Sequence, residues 1–215
     1  MLKFNISNMP HVKATLMAEH KIIYKDNQNL IIYNTRADTY IAEGLAGTIK
    51  DKIKKLKIER FETTNKEVFD FLLAMGKFKH YQICRQCYHS SSKGTADIDL
   101  PSPTEIKWIA KTYGTSVDNI TTMRQNNEIF VYRKNGEAVS YIGIQIDGSI
   151  GMLYTKPAYR RCGYATQIEE ELFKIKKHPI FVQILVDNKI SLAMHKKNGW
   201  KFNRYKIYWL FNKRF

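Results

Sequence analysis

The sequence has no apolar run near the ~20 residues that a membrane-spanning helix needs. Its first residues, MLKFNISNMPHVK, lack the apolar core of a secretory signal. Both absences lead to the expectation of a cytoplasmic protein with no membrane association. Cysteine is scarce: three in 215 residues, an odd number that makes no disulfide framework and fits a reducing compartment. Acidic residues are few beside the basic ones, 20 against 35, which leaves a net charge of +15. Such a field attracts polyanions. Nucleic acid, a phosphate-rich cofactor and an acidic substrate are all candidates, and solvated surface charge without a dedicated site is a further reading. A hydrophobic fraction of 44% and an aromatic fraction of 13% exclude a disordered chain. The length suffices for a real core, in one large domain or two small ones.

What is present alternates clearly. KIIYKDNQNLIIYN, residues 21–34, reads as a hairpin turned at DNQN, and TYIAEG as a third strand. Leu45, Ile49, Ile53 and Leu56 recur at helical spacing, with lysines on the other faces. NKEVFDFLLAMGK, residues 65–77, is helix-like, and Gly76 suits a helix end. HYQICRQCYH, residues 80–89, is strand-like, and the polar segment 90–103 marks a domain boundary. Ser102-Pro103-Thr104-Glu105 opens a helix, and a second helix lies within 117–126. EIFVYRK and EAVSYIGIQI are joined by Asn-Gly, and Asp147-Gly148 turns the chain into SIGMLYT. A helix over 164–177, the strand PIFVQILVD, the helix NKISLAMHKKNG and a final pair of strand segments, KFNRYKIYWLF, complete the chain. The pattern is α+β, with a mixed, mainly antiparallel sheet. One echo suggests a degenerate repeat: Asn65-Lys66 and Asn188-Lys189 each precede an apolar helix-like run, a glycine (Gly76, Gly199) and an aromatic strand.

The densest chemistry is in TKPAYRRCGYATQ, residues 155–167, between a strand and a helix. A helix N-terminus presents unpaired N–H groups and a partial positive charge, which suits phosphate. Gly163 removes a side chain where a ligand must approach the backbone, and Arg160 and Arg161 add charge-assisted donors. Alone, R-x-x-G-x-A is a weak motif that a basic surface turn also satisfies.

Three elements nevertheless stand in order: the strand SIGMLYT, the loop R-x-x-G-x-A at 160–165, and VQILVDNKISLAMHKKNGWKF. Over residues 104–215 this resembles the GNAT superfamily of N-acyltransferases. It looks closest to the glycine N-acyltransferase-like branch and its bacterial two-part relatives, with residues 1–100 similar to a partial or degenerate copy. The resemblance implies a GNAT-like twisted sheet flanked by helices, and a catalytic domain at 104–215. The implied reaction is N-acetyl transfer: an acetyl or short acyl group passes from acetyl-CoA, or another acyl-CoA, to the primary amine of a small acceptor. It runs by direct transfer in a ternary complex, without a metal. The backbone amides of Arg161, Cys162, Gly163, Tyr164, Ala165 and Thr166 would hold the pyrophosphate, assisted by Arg160. Leu153, Tyr154 and Thr155 would run beside the pantetheine arm, with a backbone N–H polarising the thioester carbonyl. The strands around 150–155 and 180–186 would splay there. Asn188 and Ser191 would contact the cofactor. Cys162 needs no nucleophilic role, because direct transfer forms no covalent enzyme intermediate. Most of the superfamily carries a tyrosine at the position of His195 to protonate the leaving thiolate. A histidine, titrating near neutrality, is the candidate general acid here. The general base is open among Glu128, Glu137, Asp147 and a water chain.

Two other sites are weaker. His80, Cys84, Cys87 and His89 offer four metal-ligating types, but no second cysteine pair supports them, and ordinary strand residues are expected instead of zinc. The aromatic, basic tail from Trp200 to Phe211 is read as closing strands, so nucleic acid is not the expected partner. The alternative function is a basic nucleic-acid- or protein-binding module on an acyltransferase fold that has lost catalysis. A monomer or homodimer is expected.

Overall fold

The computed structural model describes residues 9–89, 97–176 and 179–212. The chain packs as two compact units, one from residues 1–89 with 181–215 and the other from residues 90–180.

In the first unit, helix α1 (Pro10–Met17) leads to strands β1 (His20–Lys25), β2 (Leu30–Asn34) and β3 (Thr39–Glu43). Helix α2 (Ala46–Ile53), β4 (Arg60–Thr63), α3 (Lys66–Ala74) and β5 (His80–His89) follow. The chain returns to this unit with β9 (Ile180–Leu185), α7 (Lys189–Lys197) and β10 (Lys201–Phe211). The strand order is β1-β2-β3-β4-β10-β5-β9. The β1–β2, β2–β3, β4–β10 and β5–β10 pairs are antiparallel, and β3–β4 is parallel. The apolar run of β2 has a simple cause. Ile31 faces a core with Ile49, Ile53 and Leu72 of α2 and α3, while Leu30 and Ile32 face Met9 and Val12 at α1. Both faces are covered, so no alternation is needed. A fully buried isoleucine of this kind contributes about 1.5–3 kcal/mol.

In the second unit, α4 (Pro103–Tyr113) and α5 (Val117–Gln125) precede β6 (Ile129–Lys134), β7 (Glu137–Ile144) and β8 (Ile150–Thr155), and α6 (Tyr164–Ile175) follows. The three strands form an antiparallel meander. Ile106, Ile109 and Ile120 of the first two helices pack with Ile129, Val131, Tyr141 and Met152. The alternate residues Phe130 and Ile142 are buried as well, and α6 packs on these strands. α4 starts as its sequence indicates, with a capping box between Ser102 and Glu105. The Asn-Gly hairpin turn has both residues at positive φ, Asn135 at 52° and Gly136 at 81°.

The fold class is the expected one, α+β with a mainly antiparallel twisted sheet flanked by helices. Three details differ from expectation. Helix α1 was not anticipated. KFNRYKIYWLF is one strand, not two, with a register shift between Phe202 and Lys206 against β5. The packing also cuts across the contiguous division at 1–100 and 104–215, because β10 finds its neighbours, β4 and β5, in the N-terminal half. Most of the boundary segment, residues 90–96, and residue 177 of the expected helix lie outside the described residues. No helix among the described residues is long and apolar enough to cross a membrane.

The first unit also buries a polar cluster. His11 and Glu43 are each 2% exposed and lie 3.3 Å apart through Nε2 and Oε1. The Gln86 amide places Oε1 3.4 Å and Nε2 3.1 Å from His11 Nδ1, so it can serve either protonation state of the ring. Asn203 Nδ2 donates to Gln86 Oε1 at 2.7 Å. Burial opposes charge on His11, but Glu62 and Glu43 together hold its pKa above the ordinary 6.5. A raised folded pKa contributes stability that is complete below 6.5 and is lost as pH rises through the folded value. Relative to His11→Gln, the wild-type chain should lose up to about 1.4 kcal/mol per pH unit across that window. Urea denaturation of both chains from pH 5 to 8.5 measures this; parallel profiles would show that folding does not shift the ring's pKa, and a wild-type gain as pH rises from 5 would show a ring held neutral in the folded chain.

Candidate functional site

The loop singled out in the sequence lies in the second unit. β8 carries a bulge before it: Met152 and Leu153 together stand opposite Ile142, between the pairs Tyr141–Tyr154 and Gly143–Gly151. Met152 has φ +55°, unusual for a residue with a side chain. The ladder with β7 is thus interrupted at Leu153, the start of the segment expected to meet an acyl chain. Leu153, Tyr154 and Thr155 are half-buried. A 3-10 turn, Pro157–Tyr159, follows.

The backbone then curls twice into the left-handed region, at Arg161 (φ +65°) and Gly163 (φ +86°). Gly163 is the N-cap of α6 and supplies no side-chain acceptor. Helices α3, α4, α5 and α7, by contrast, have Asn65, Ser102, Ser116 and Asn188 bonded to their first-turn amides. The first backbone bond into α6 runs from Gln167 N–H to the Gly163 carbonyl. The amides of Tyr164, Ala165 and Thr166 therefore lie in the first turn of a helix without a side-chain cap. A Cβ built on Gly163 would meet nothing within 4 Å, so the glycine is needed for its φ, and the space above it is open. Arg160, Arg161 and Cys162 are exposed. Arg160 is nonetheless held: its Nε donates to the Thr155 carbonyl at 3.1 Å and its guanidinium stands 5.7 Å from the Tyr154 ring centre.

A brace fixes this loop to the meander. Glu137, at the start of β7, accepts from Lys156 Nζ at 2.8 Å and from the Tyr159 hydroxyl at 2.6 Å. These two donors hold its carboxyl below the usual range. Tyr164 packs between Tyr132 and Tyr159, with Lys134 Nζ 5.4 Å from its ring. Gln167 Nε2 donates to the Tyr132 hydroxyl at 2.7 Å. Sequence reasoning placed Glu137 among candidate bases. The structure engages it in holding the loop. A carboxylate early in a hairpin strand gave no signal for that role, nor did Met152 for the bulge.

The remaining expected site residues lie in the first unit, along α7. Asn188 caps the helix, its Oδ1 accepting from Ser191 N–H at 3.1 Å. Ser191 in turn meets His195, whose Nδ1 lies 2.8 Å from the Ser191 carbonyl and 3.3 Å from its Oγ. A carbonyl only accepts, so Nδ1 carries the proton. The ring is 4% exposed and meets Trp200 edge-on at 4.9 Å. In this tautomer a neutral His195 has its lone pair on Nε2 and accepts there. Donation from Nε2 requires the imidazolium. Cys84 and Cys87 are both buried in β5, and Cys84 packs with Ile207, Trp209 and Phe211 of β10.

Residues 92–200, just over half of the chain, match the Acetyltransferase (GNAT) family. No curated protein matches the sequence. Several solved structures share the fold. A Drosophila protein is 11% identical, with a TM-score of 0.61 over 85% of this chain and 79% of its own. A functionally unknown conserved protein from Staphylococcus epidermidis is 13% identical, with a TM-score of 0.58 over 99% of each chain. A GCN5-related N-acetyltransferase from Kribbella flavida is 9% identical, with a TM-score of 0.55 over 100% of this chain and 97% of its own. At such identities the likeness is one of fold.

The brace yields a prediction. Glu137→Gln should speed hydrogen exchange at the loop amides, Tyr159 and Arg160 foremost, several-fold or more. Global stability should change little, as for an exposed ion pair. Unchanged exchange in the loop would show that the carboxylate does not hold it.

Proposed function

The chain belongs to the Acetyltransferase (GNAT) family, and on that premise we propose that it is a cytoplasmic N-acyltransferase. It would move an acetyl or other short acyl group from an acyl-CoA to the primary amine of a small acceptor, by direct transfer. Within the family we group it with the glycine N-acyltransferase-like branch, on the loop motif and the two-part chain. The observation that carries the reading is the open, side-chain-free N-terminus of α6 behind two left-handed residues, flanked by arginines. That arrangement fits a pyrophosphate: donors converge, the helix field is positive, and no side chain fills the space.

In this reading the amides from Arg161 to Thr166 hold the diphosphate, and Arg160 and Arg161 add charge at its rim. The thioester supplies an activated acyl group when bound. The interrupted ladder at Leu153 is where a backbone N–H can polarise its carbonyl. Asn188 and Ser191 serve chiefly by fixing His195, whose working atom is Nε2. Proton donation to a leaving thiolate then falls to the imidazolium form. The acceptor remains a primary amine of open identity. The net charge of +15 favours acidic ones, and a panel of amines with thiol-release detection would find it.

Two measurements test this. Saturating acetyl-CoA, at about 100 times Kd, should stabilise the folded chain by roughly 2.7 kcal/mol, and no thermal shift would remove the enzyme reading. His195→Gln should lower kcat by roughly 10²-fold, leave KM for the acyl-CoA within a few-fold, and abolish the alkaline fall of the kcat profile. An unaltered profile would take the general-acid role from His195.

A further inference from the structure

The order of elements along the chain repeats. β1-β2-β3-α2-β4-α3-β5 is followed, after α4 and α5, by β6-β7-β8-α6-β9-α7-β10. The echo heard in the sequence extends to geometry. α3 and α7 start at Asn65 and Asn188, each bonded through its side chain to first-turn amides. Each helix is followed by a left-handed glycine, Gly76 at φ +63° and Gly199 at φ +76°. Within the first unit the order β4-β10-β5-β9 interleaves the two series. The last strand of each copy lies beside the penultimate strand of the other, so the copies have exchanged their final strands.

The copies part company where a phosphate would bind. In the second, the connection from β8 to α6 runs from Lys156 to Gly163, with open space above Gly163. In the first, β3 and α2 are joined by Gly44 and Leu45 alone. A Cβ on Gly44 would lie 2.5 Å from the Gln28 carbonyl oxygen and 2.5 Å from Asn29 Oδ1. Asn29 Oδ1 accepts the Leu45 N–H at 2.7 Å, and Asn65 Nδ2 donates to the Gly44 carbonyl at 3.0 Å. α2 itself has no side-chain cap, but the connection into it, at Gly44 and Leu45, is thus packed and bonded from within the chain.

The strand ends are filled too. The parallel pairing of β3 and β4 joins Tyr40 to Phe61 and Ile41 to Glu62. Beyond those pairs the Glu43 side chain stands between the strands. Its Oε1 accepts the Thr64 N–H at 2.9 Å, its other oxygen accepts the Thr64 hydroxyl, and His11 closes on it at 3.3 Å. A carboxylate thus fills the gap at the ends of β3 and β4, the strands whose counterparts in the second series are β8 and β9.

We propose that the N-terminal half is a second acyltransferase copy whose cofactor slot is sealed by its own side chains. Asn29 closes the phosphate end, and Glu43 with Thr64 and His11 closes the strand ends. The chain consequently takes one acyl-CoA, at the loop of residues 156–166, and the sealed half serves by lending β5 between β10 and β9. The proposal rests on the acyl-CoA reading above.

Calorimetric titration of the full chain with acetyl-CoA tests it. The wild type should bind one equivalent. Gly163→Val, which forces a branched side chain to φ +86°, should bind none. Arg160→Ala with Arg161→Ala, an exposed pair whose loss leaves the core intact, should bind at least tenfold more weakly. Glu43→Gln should lower the urea midpoint yet keep one equivalent and an affinity within about twofold of wild type. Two equivalents in the wild type, or one equivalent left in the Gly163→Val chain, would overturn the sealed slot and leave the enzyme reading standing. So would a fivefold or greater loss of affinity in folded Glu43→Gln, since the carboxylate would then serve the ligand. No binding by the wild type would overturn the acyl-CoA reading itself, and this inference with it.

Discussion

The antiparallel pairing of β5 with β10 is the constraint on which the first unit depends. It runs from Tyr88 opposite Lys201 to His80 opposite Phe211. β4 then pairs with β10, and β5 has β9 on its other side. Four strands from opposite halves of the chain are therefore locked by one ladder. Its faces are apolar: Tyr208 and Leu210 join the core of α2 and α3, while Ile207, Trp209 and Phe211 cluster with Cys84. Contacts so distant in sequence close long loops before they return any energy, so this pairing carries a large share of the chain-entropy cost of the fold. It also explains why a chain whose elements follow one another in two tidy series does not pack as two tidy halves.

Local structure was legible because local signals agree with the fold. The Asn-Gly hairpin, the Ser102 capping box, the Asp147-Gly148 turn and the glycines that end helices all act within a few residues. The loop at 160–165 was legible for the same reason: a glycine at φ +86° before a helix leaves a mark in the sequence. What was not legible acts over distance or through backbone alone. KFNRYKIYWLF read as two segments because Asn203, Arg204 and Tyr205 interrupt the apolar pattern, yet the strand continues through them by a register shift. No residue type announces that β10 would leave its own series for β4 and β5. Met152 gives no hint of φ +55°. Glu137 looked like a spare carboxylate because the residues that engage it, Lys156 and Tyr159, come after two strands and a turn.

The functional site follows from what the sequence withholds. At α3, α4, α5 and α7 the helix start is satisfied by a serine or asparagine of the chain, worth about 1 kcal/mol each. At α6 that stabilisation is forgone, and left-handed Arg161 adds a cost of order 1 kcal/mol. A folded chain tolerates both only if neighbouring structure holds the loop, which is the part taken by Glu137, Lys156, Tyr159 and the tyrosines around Tyr164. The contrast with α2 makes the point within one molecule. There the same kind of connection is short, its glycine is pressed against Gln28 and Asn29, and the amide of Leu45, the residue before the helix, is already bonded. A stable helix start and an anion-binding helix start make opposite demands on the same N–H groups. The chain meets the first demand at α3, α4, α5 and α7, closes the approach to α2, and leaves room for the second demand at α6.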